Sequence, residues 1–97
     1  MVWSEWWTYT DSSVQHDLDE WGVYELADDA MTTVYYGSGK VKTRLLDQLN
    51  RKECPLARYY RIDLIRDEAQ CRAREEELLR EHKTAHGKLP MYNERIG

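Results

Sequence analysis

Two tyrosines that stand close to glycines are the first residues in this sequence that could act on a phosphate. Tyr24 comes two residues after Gly22, and Tyr35 comes two residues before Gly37. Because successive residues of a strand point to opposite faces, each tyrosine shares a face with its glycine. If the two strands pair in antiparallel fashion, both phenols lie side by side and the glycines leave room for a phosphate to approach the backbone. The alternative is that both tyrosines only pack against that face of the sheet.

The second tyrosine leads into a segment rich in glycine and cations, Gly37-Ser38-Gly39-Lys40. Its spacing does not fit a Walker loop, because Val34 occupies the position of the first glycine and Val41 that of the Ser or Thr. A dinucleotide-binding fingerprint does not fit either, since Lys42 stands where the third glycine is required. We therefore interpret the segment together with the tyrosines before it.

An arginine and a glutamate further along the chain could complete a phosphate site. Arg44 lies on the helix that follows the glycines, and its permanently charged guanidinium can bind a phosphate through two parallel hydrogen bonds. The alternative for Arg44 is a solvated surface position. Glu75 falls on the same helical stripe as Cys71 and Leu78. A carboxylate on a buried stripe costs free energy unless a cation or metal meets it, so we expect Glu75 to have a special role.

Hydrophobic periodicity and end signals predict the elements that must position these residues. The predicted elements are a helix over 13–20 capped by Asp11 or Ser12, a hairpin of strands over 21–26 and 32–36, a helix over 40–51, a strand over 59–65, a helix over 67–84 capped by Asp67 and ended by Gly87, and an extended tail over 89–93. Their order predicts one α+β domain, with a small three-stranded antiparallel or mixed sheet flanked by helices.

Five pieces of the sequence, taken in order, resemble the signature of the GIY-YIG endonuclease superfamily. They are Gly22-Val23-Tyr24, Tyr35-Tyr36-Gly37, Arg44, Glu75 and Asn93. The resemblance covers residues 22–93. It implies that residues 22–97 form a GIY-YIG nuclease-like domain of the compact stand-alone kind, behind an acidic, Trp-rich extension over 1–21. The implied activity is metal-dependent hydrolysis of phosphodiester bonds in DNA, of a structure-specific or repair-related kind.

The same resemblance implies a role for each residue. Glu75 would hold one divalent ion, Mg²⁺ or Mn²⁺, and Arg44 would stabilise the charge that builds on the phosphate. Tyr24 or Tyr35 would help to deprotonate the attacking water, and we prefer Tyr24. Contacts to nucleic acid would come from Gly37, Ser38, Lys40, Lys42 and Asn93. For Asn93, capping a turn in the tail is an equally good explanation.

Three features favour a second hypothesis, a catalytically inactive GIY-YIG-fold module that binds nucleic acid or protein, and the first is the acidic N-terminal part of the chain. Gln48 stands one helical turn after Arg44, where many members of the superfamily have His or Tyr, and an amide cannot transfer a proton. The N-terminal tryptophans, at positions 3, 6 and 7, form a cluster that is costly to leave in water. We expect this cluster to pack on the domain or on a partner, including a second copy of the chain.

Composition and charge set the remaining expectations. A net charge of −4 with 41% hydrophobic and 33% charged residues is typical of a globular domain. The charge is uneven, because residues 1–30 carry eight acids and no Lys or Arg, whereas residues 38–66 carry eight bases and three acids. The basic segment could meet a polyanion such as DNA. No apolar run approaches the ~20 residues that span a bilayer and no signal peptide is evident, so we expect a cytoplasmic protein without a membrane partner.

The two cysteines are too few and too far apart to indicate a disulfide framework, and we expect both to be reduced. A zinc site built from Cys54, Cys71, His82 and His86 is a weaker alternative, because no CxxC motif anchors it.

Overall fold

The fold is that of a computed structural model, which describes residues 2–94. Within that range the elements are β1 (Trp7–Thr8), α1 (Asp11–Val14), β2 (Trp21–Ala27), β3 (Thr33–Lys40), α2 (Val41–Asn50), β4 (Tyr59–Leu64) and α3 (Glu68–His86). The strands form one antiparallel sheet in the order β1-β4-β2-β3. The α+β class is confirmed, but the sheet has four strands where the sequence predicted three.

The additional strand is β1, at the edge of the sheet beside β4. It has only two residues, which is too short to show an alternating pattern in the sequence. The residue after it, Tyr9, is buried, and its hydroxyl donates a hydrogen bond of 2.6 Å to the carbonyl of Leu45. Residues 7–14, which the sequence analysis assigned to an N-terminal extension, thus contribute a strand and buried side chains to the same core as the rest of the chain.

Strand β3 is longer than predicted and contains the whole glycine segment. The sequence predicted a strand that ends at Tyr36, followed by a turn, but β3 continues to Lys40 and pairs with β2 along its full length. Gly37 lies opposite Tyr24, and Gly39 lies opposite Gly22. The physical reason is that β2 begins at Trp21, so its first backbone groups need partners on this side.

The first helix differs from its prediction, and the other two match theirs. Helix α1 has four residues and is capped by Thr10, whose side chain accepts a hydrogen bond from the amide of Ser13. Beyond it the chain leaves the helix, because Asp17 accepts a bond from Tyr60 and Asp19 from Thr43. Helix α2 lies within the predicted 40–51. Helix α3 has the predicted caps, with Asp67 accepting from the amide of residue 70 and residue 87 in the left-handed region at φ 78°.

The sheet is covered on both faces. Helix α2 packs on the face formed by Tyr24, Leu26, Val34, Tyr60 and Ile62. Helix α3 covers part of the other face, where Val23 packs against Cys71 and Leu78. Because β3 is an edge strand, side chains from the two faces of the sheet can approach one another along its free edge. No helix within the described part of the chain is both long and apolar enough to span a membrane.

The tryptophan cluster packs on its own domain. The guanidinium carbon of Arg61 lies 4.5 Å from the ring centroid of Trp3 and 4.6 Å from that of Trp6. The same guanidinium forms an ion pair of 2.7 Å with the buried carboxylate of Glu25. Trp7 packs against Tyr60 with ring centroids 5.6 Å apart. Each of these tryptophans therefore has an intramolecular contact.

The tail does not follow the predicted extended course throughout. Residues 91–92 form a turn, in which the amide of Asn93 donates to the carbonyl of Pro90 at 3.0 Å. The amide of Tyr92 donates to the carbonyl of Val34, so the tail lies against the first half of β3.

Candidate active site at the edge of strand β3

The two tyrosines share a face of the sheet, as the antiparallel pairing predicted. The ring centroids of Tyr24 and Tyr35 are 6.0 Å apart. Tyr24 is completely buried, whereas Tyr35 is only partly buried. Alternation along a strand thus gave the correct face, and the two phenols differ in their access to solvent.

Tyr24 is held in place from two sides. Its ring lies over Gly37 so closely that a Cβ added there would overlap Cζ and the hydroxyl oxygen of Tyr24 and would come within 2.8 Å of Cε1. Its hydroxyl donates a hydrogen bond of 2.7 Å to Oε1 of Gln48, which is itself buried. Burial, followed by the proximity of Tyr35, raises the pKa of Tyr24 well above its usual value of 10.0. Tyr24 is therefore a neutral phenol with a fixed position.

Tyr35 lies between helix α2 and the carboxylate of Glu75. Burial raises the pKa of Tyr35, and the negative charge of Glu75 raises it further. A hydrogen bond with Gln48 and the positive charge of Arg44 act in the opposite direction. The phenol of Tyr35 is thus coupled to both charged residues of the candidate site.

Arg44 reaches the site from the first half of α2. Its side chain runs beside Gly39, where an added Cβ would lie 3.1 Å from Cγ of Arg44. Its guanidinium interacts with the phenols of both Tyr24 and Tyr35, and these interactions raise its own pKa. The second glycine of the segment therefore makes room for the arginine, as the first makes room for Tyr24.

Glu75 approaches from α3 on the other side of the edge strand. Burial raises its pKa, while the Ser38 hydroxyl and then the charges of Arg44 and Arg72 lower it. Cys71 and Leu78, on the same helical stripe, are buried as the sequence predicted. The next residue, Glu76, is instead paired on the helix surface with Arg80. Glu75 is thus the carboxylate of this run that turns toward the sheet.

A hollow of about 390 Å³ opens beside Arg44, and Tyr24, Tyr35 and Glu75 are not among the residues that line it. This volume falls in the range of about 300–1,000 Å³ that is common for sites that bind small ligands. Its lining includes Ser38, Gly39, Lys40, Thr43, Arg44 and Arg72. The acidic residue of the lining, Glu68, is paired with Arg72 at 3.0 Å. Hydroxyl, backbone and cationic groups therefore surround a space that suits an anion.

Arg72 is a cation of this hollow that the sequence analysis did not single out. It lies three residues before Glu75 on α3, one helical turn away, and this spacing could have identified it. The two lysines that were predicted to contact nucleic acid have acidic neighbours instead. The Lys40 ammonium is 3.9 Å from Glu20 and 5.7 Å from the ring centroid of Trp21. Lys42 interacts electrostatically with Asp17 and Asp19.

Asn93 lies next to the site and bonds to the edge strand. Its side-chain amide donates to the carbonyl of Tyr36 and accepts from the amide of Tyr36, both at 3.0 Å. Because both ends of the side chain are used in this way, the side chain of Asn93 attaches the tail to β3 and does not cap a turn in the tail.

The carboxylate of Glu75 fits a hard divalent ion that takes most of its ligands from water and substrate. Within residues 2–94 there is no group of three or more His, Cys, Asp or Glu side chains that could hold a metal together. Mg²⁺ is commonly bound through one or two carboxylates, several waters and substrate phosphates, so one partly buried carboxylate beside an anion-sized hollow is compatible with it.

The zinc alternative does not fit the structure. Cys54 and Cys71 are free thiols that belong to clusters on opposite faces of the sheet. Burial, followed by the charge of Glu53, raises the pKa of the Cys54 thiol to about 12, which disfavours the thiolate that zinc requires. His82 and His86 do stack, with ring centroids 4.3 Å apart, but they lie near the far end of α3.

Comparison with known proteins gives one family. A family model described as a domain of unknown function, DUF7508, matches residues 2–85. The match includes the strands β1 to β4, the helices α1 and α2, and all but the last residue of α3. No curated protein matches the chain.

Proposed function

The chain belongs to the DUF7508 family, a domain of unknown function, and we propose that it is a divalent-metal-dependent endonuclease that hydrolyses phosphodiester bonds in DNA. The observation that carries the proposal is the convergence of Tyr35, Arg44 and Glu75 at the edge of β3. These residues come from three different elements; the charges of Glu75 and Arg44 both act on the pKa of Tyr35, and the charge of Arg44 acts on the pKa of Glu75. The resemblance to GIY-YIG nucleases gives each of them a role in the same reaction.

Arg44 and Arg72 are the groups that would bind the phosphate. Both line the hollow, and guanidinium groups bind phosphate oxygens through paired hydrogen bonds. Arg44 also lies closest to the phenols, so it would stabilise the charge that develops on the phosphate during attack. Ser38 and Gly39 add a hydroxyl and an accessible strand backbone to the same site.

Tyr35 is a better candidate than Tyr24 for contact with the attacking water. Tyr24 has no exposed surface, and its hydroxyl already donates a hydrogen bond to Gln48. Tyr35 is more accessible, and one of the causes that raise its pKa is the charge of Glu75. Neutralising that charge would make the phenol ionise more readily, so that it could accept the proton of the water. Tyr24 would then act as a positioning residue that fixes Gln48 and the neighbouring ring.

Glu75 would hold the divalent ion, which lowers the cost of forming hydroxide from water and screens the charge of the phosphate. In the absence of a cation, burial raises the pKa of Glu75. A bound cation would offset this cost of burying a charged carboxylate. The small extent of the cationic surface favours recognition of DNA structure over a long sequence, which agrees with a structure-specific or repair-related role.

The contact between Tyr24 and Gln48 favours one alternative, a module of the same fold that binds nucleic acid without cleaving it. The amide oxygen of Gln48 accepts a hydrogen bond from the phenol of Tyr24, but an amide cannot take up or transfer the proton. In this alternative the arginines and the hollow bind the phosphate, and Glu75 has no role in chemistry.

The two functions are separated by an assay on branched, nicked and single-stranded DNA with Mg²⁺ or Mn²⁺. We expect cleavage by the wild type, a loss of cleavage in Glu75→Gln, and retention in Glu77→Gln, which changes an exposed glutamate of the same helix. Binding without cleavage, unchanged by Glu75→Gln, would support the binding module. Absence of both binding and cleavage on all three substrates would refute both functions.

A further inference from the structure

A second hollow, of about 650 Å³, lies toward the opposite edge of the sheet from the candidate active site, beside β4. The N-terminal segment forms one wall through Trp3 and Trp7, and the end of β4 forms another through Ile62 and Asp63. The chain after α1 closes it with Asp17 and its neighbours. The candidate active site uses none of these residues.

The charge of this hollow is negative. Its lining includes the two carboxyl groups of Asp17 and Asp63, and the described residues that line it include no Lys or Arg. Asp63 is only 7% exposed, and its Oδ2 has no hydrogen-bond partner among residues 2–94. A buried carboxylate oxygen without a partner is costly unless a ligand supplies a donor. Arg61, which lies two residues before Asp63 and on the same face of β4, is already bound to Glu25.

The aromatic walls add a second type of attraction for a cation. Trp3 and Trp7 both line the hollow, and indole rings attract guanidinium and ammonium groups. This chain already shows the combination once, because Arg61 lies against the rings of Trp3 and Trp6 while it binds a buried carboxylate. The hollow offers the same two components, tryptophan rings and a buried carboxylate, and the one basic side chain in its lining is His16.

We propose that this hollow binds the guanidinium group of an arginine side chain from a partner protein. A planar guanidinium can stack on an indole and donate to a carboxylate at the same time, which a compact ammonium does less well. Complementary charge supports a basic partner, because residues 1–30 carry eight acids and no Lys or Arg. The proposal does not depend on nuclease activity.

The test uses the peptide acetyl-Gly-Arg-Gly-amide and its citrulline counterpart, which has nearly the same shape but no charge. Binding is followed by NMR through the indole N–H signals of Trp3 and Trp7, with Trp21, which does not line the hollow, as an internal reference. We expect saturable shifts of the first two signals with the arginine peptide, and roughly tenfold weaker binding or more with citrulline. Equal binding of both peptides would overturn the proposal.

Variants test whether the carboxylates are responsible. Asp63→Asn keeps the size of the side chain and should weaken binding of the arginine peptide by roughly tenfold or more, with Asp17→Asn as a second variant at the other wall. The control is Glu5→Gln, which removes one exposed negative charge of the N-terminal segment outside the hollow. If Glu5→Gln weakens binding as much as Asp63→Asn and Asp17→Asn do, the peptide is attracted by the overall negative charge of the segment. The proposed binding site would then be wrong.

The source of the guanidinium is tested by sedimentation velocity of the wild type and Asp63→Asn. A monomeric wild type that binds the peptide supports a separate partner protein. A wild-type dimer that dissociates in Asp63→Asn would show that the occupant is a second copy of this chain and would overturn the partner assignment.

Discussion

Gly37→Ala is expected to destabilise the fold by about 3 kcal/mol, because the added methyl group would occupy the position of the Tyr24 ring. The overlap involves Cζ and the hydroxyl oxygen, and Cε1 would lie 2.8 Å from the new Cβ. Tyr24 has no exposed surface and cannot move outward without displacing its neighbours. Any shift also separates its hydroxyl from Gln48, to which it donates at 2.7 Å.

The magnitude follows from three contributions. Overpacking a buried site costs about 1–3 kcal/mol. A buried amide oxygen that loses its donor, here Oε1 of Gln48, costs about 1–3 kcal/mol more. Alanine also restricts the unfolded chain, which returns about 0.4–1 kcal/mol. The expected net loss of about 3 kcal/mol lowers the melting temperature by about 12–24 °C for a domain of this size.

The assay is urea unfolding monitored by tryptophan fluorescence, with Gly87→Ala as the control. Gly87 has φ 78°, and an added Cβ there would have no atom within 4 Å, so alanine introduces only backbone strain of about 1–2 kcal/mol. Gly37 is not in the left-handed region, so its cost includes no backbone strain of this kind. If Gly37→Ala costs no more than Gly87→Ala, the close approach of Tyr24 to the strand is not a constraint and the reasoning fails.

Four further tests address other parts of the structure. Burial raises the pKa of Glu75, so the native state keeps a proton that the unfolded chain releases just above pH 4.5. The free energy of unfolding of the wild type should therefore fall as pH rises through that window. Urea unfolding of Glu75→Gln should lack this fall. Added Mn²⁺ should raise the melting temperature of the wild type and leave that of Glu75→Gln unchanged; equal shifts would exclude Glu75 as a ligand. Asp67→Ala should cost about 1 kcal/mol through loss of the N-cap of α3, measured by thermal unfolding. Asn93→Ala should speed hydrogen exchange at the amide of Tyr36 by roughly fivefold or more, since a typical hydrogen bond contributes about 1 kcal/mol; unchanged exchange would mean that the tail does not protect this strand.

Local signals in the sequence were sufficient for the elements that carry their own end markers. Helix α3 was predicted within two residues at each end, because Asp67 and Gly87 are strong cap residues. Strand β1 and the second half of β3 were missed for the opposite reason. Strand β1 has two residues, which is too short to show an alternating pattern. The second half of β3 is a run of glycine and serine that does not look like a strand in the sequence, and it is a strand because it pairs with β2.

The candidate site shows a similar division between what spacing determines and what packing determines. Helical spacing identified Glu75, and strand alternation put Tyr24 and Tyr35 on one face. Alternation does not show how deeply a side chain is buried. The preference for Tyr24 as the reacting phenol therefore took no account of the complete burial of Tyr24. Arg72 joins the hollow because α3 packs across the sheet beside β3, and the local signal for it was its position one helical turn before Glu75.

The pairing of Asn93 with Tyr36 has a consequence for how this molecule behaves at high concentration. An uncovered edge strand is a template on which another chain can add a strand, and such growth leads to aggregates. The carboxamide of Asn93 has the same donor and acceptor as a peptide group, so it occupies the place that the backbone of an incoming strand would take at Tyr36. The tail thus covers the first half of β3 through this side chain and through the amide of Tyr92 at Val34, and removal of the side chain would leave β3 open at Tyr36 to association with a second molecule.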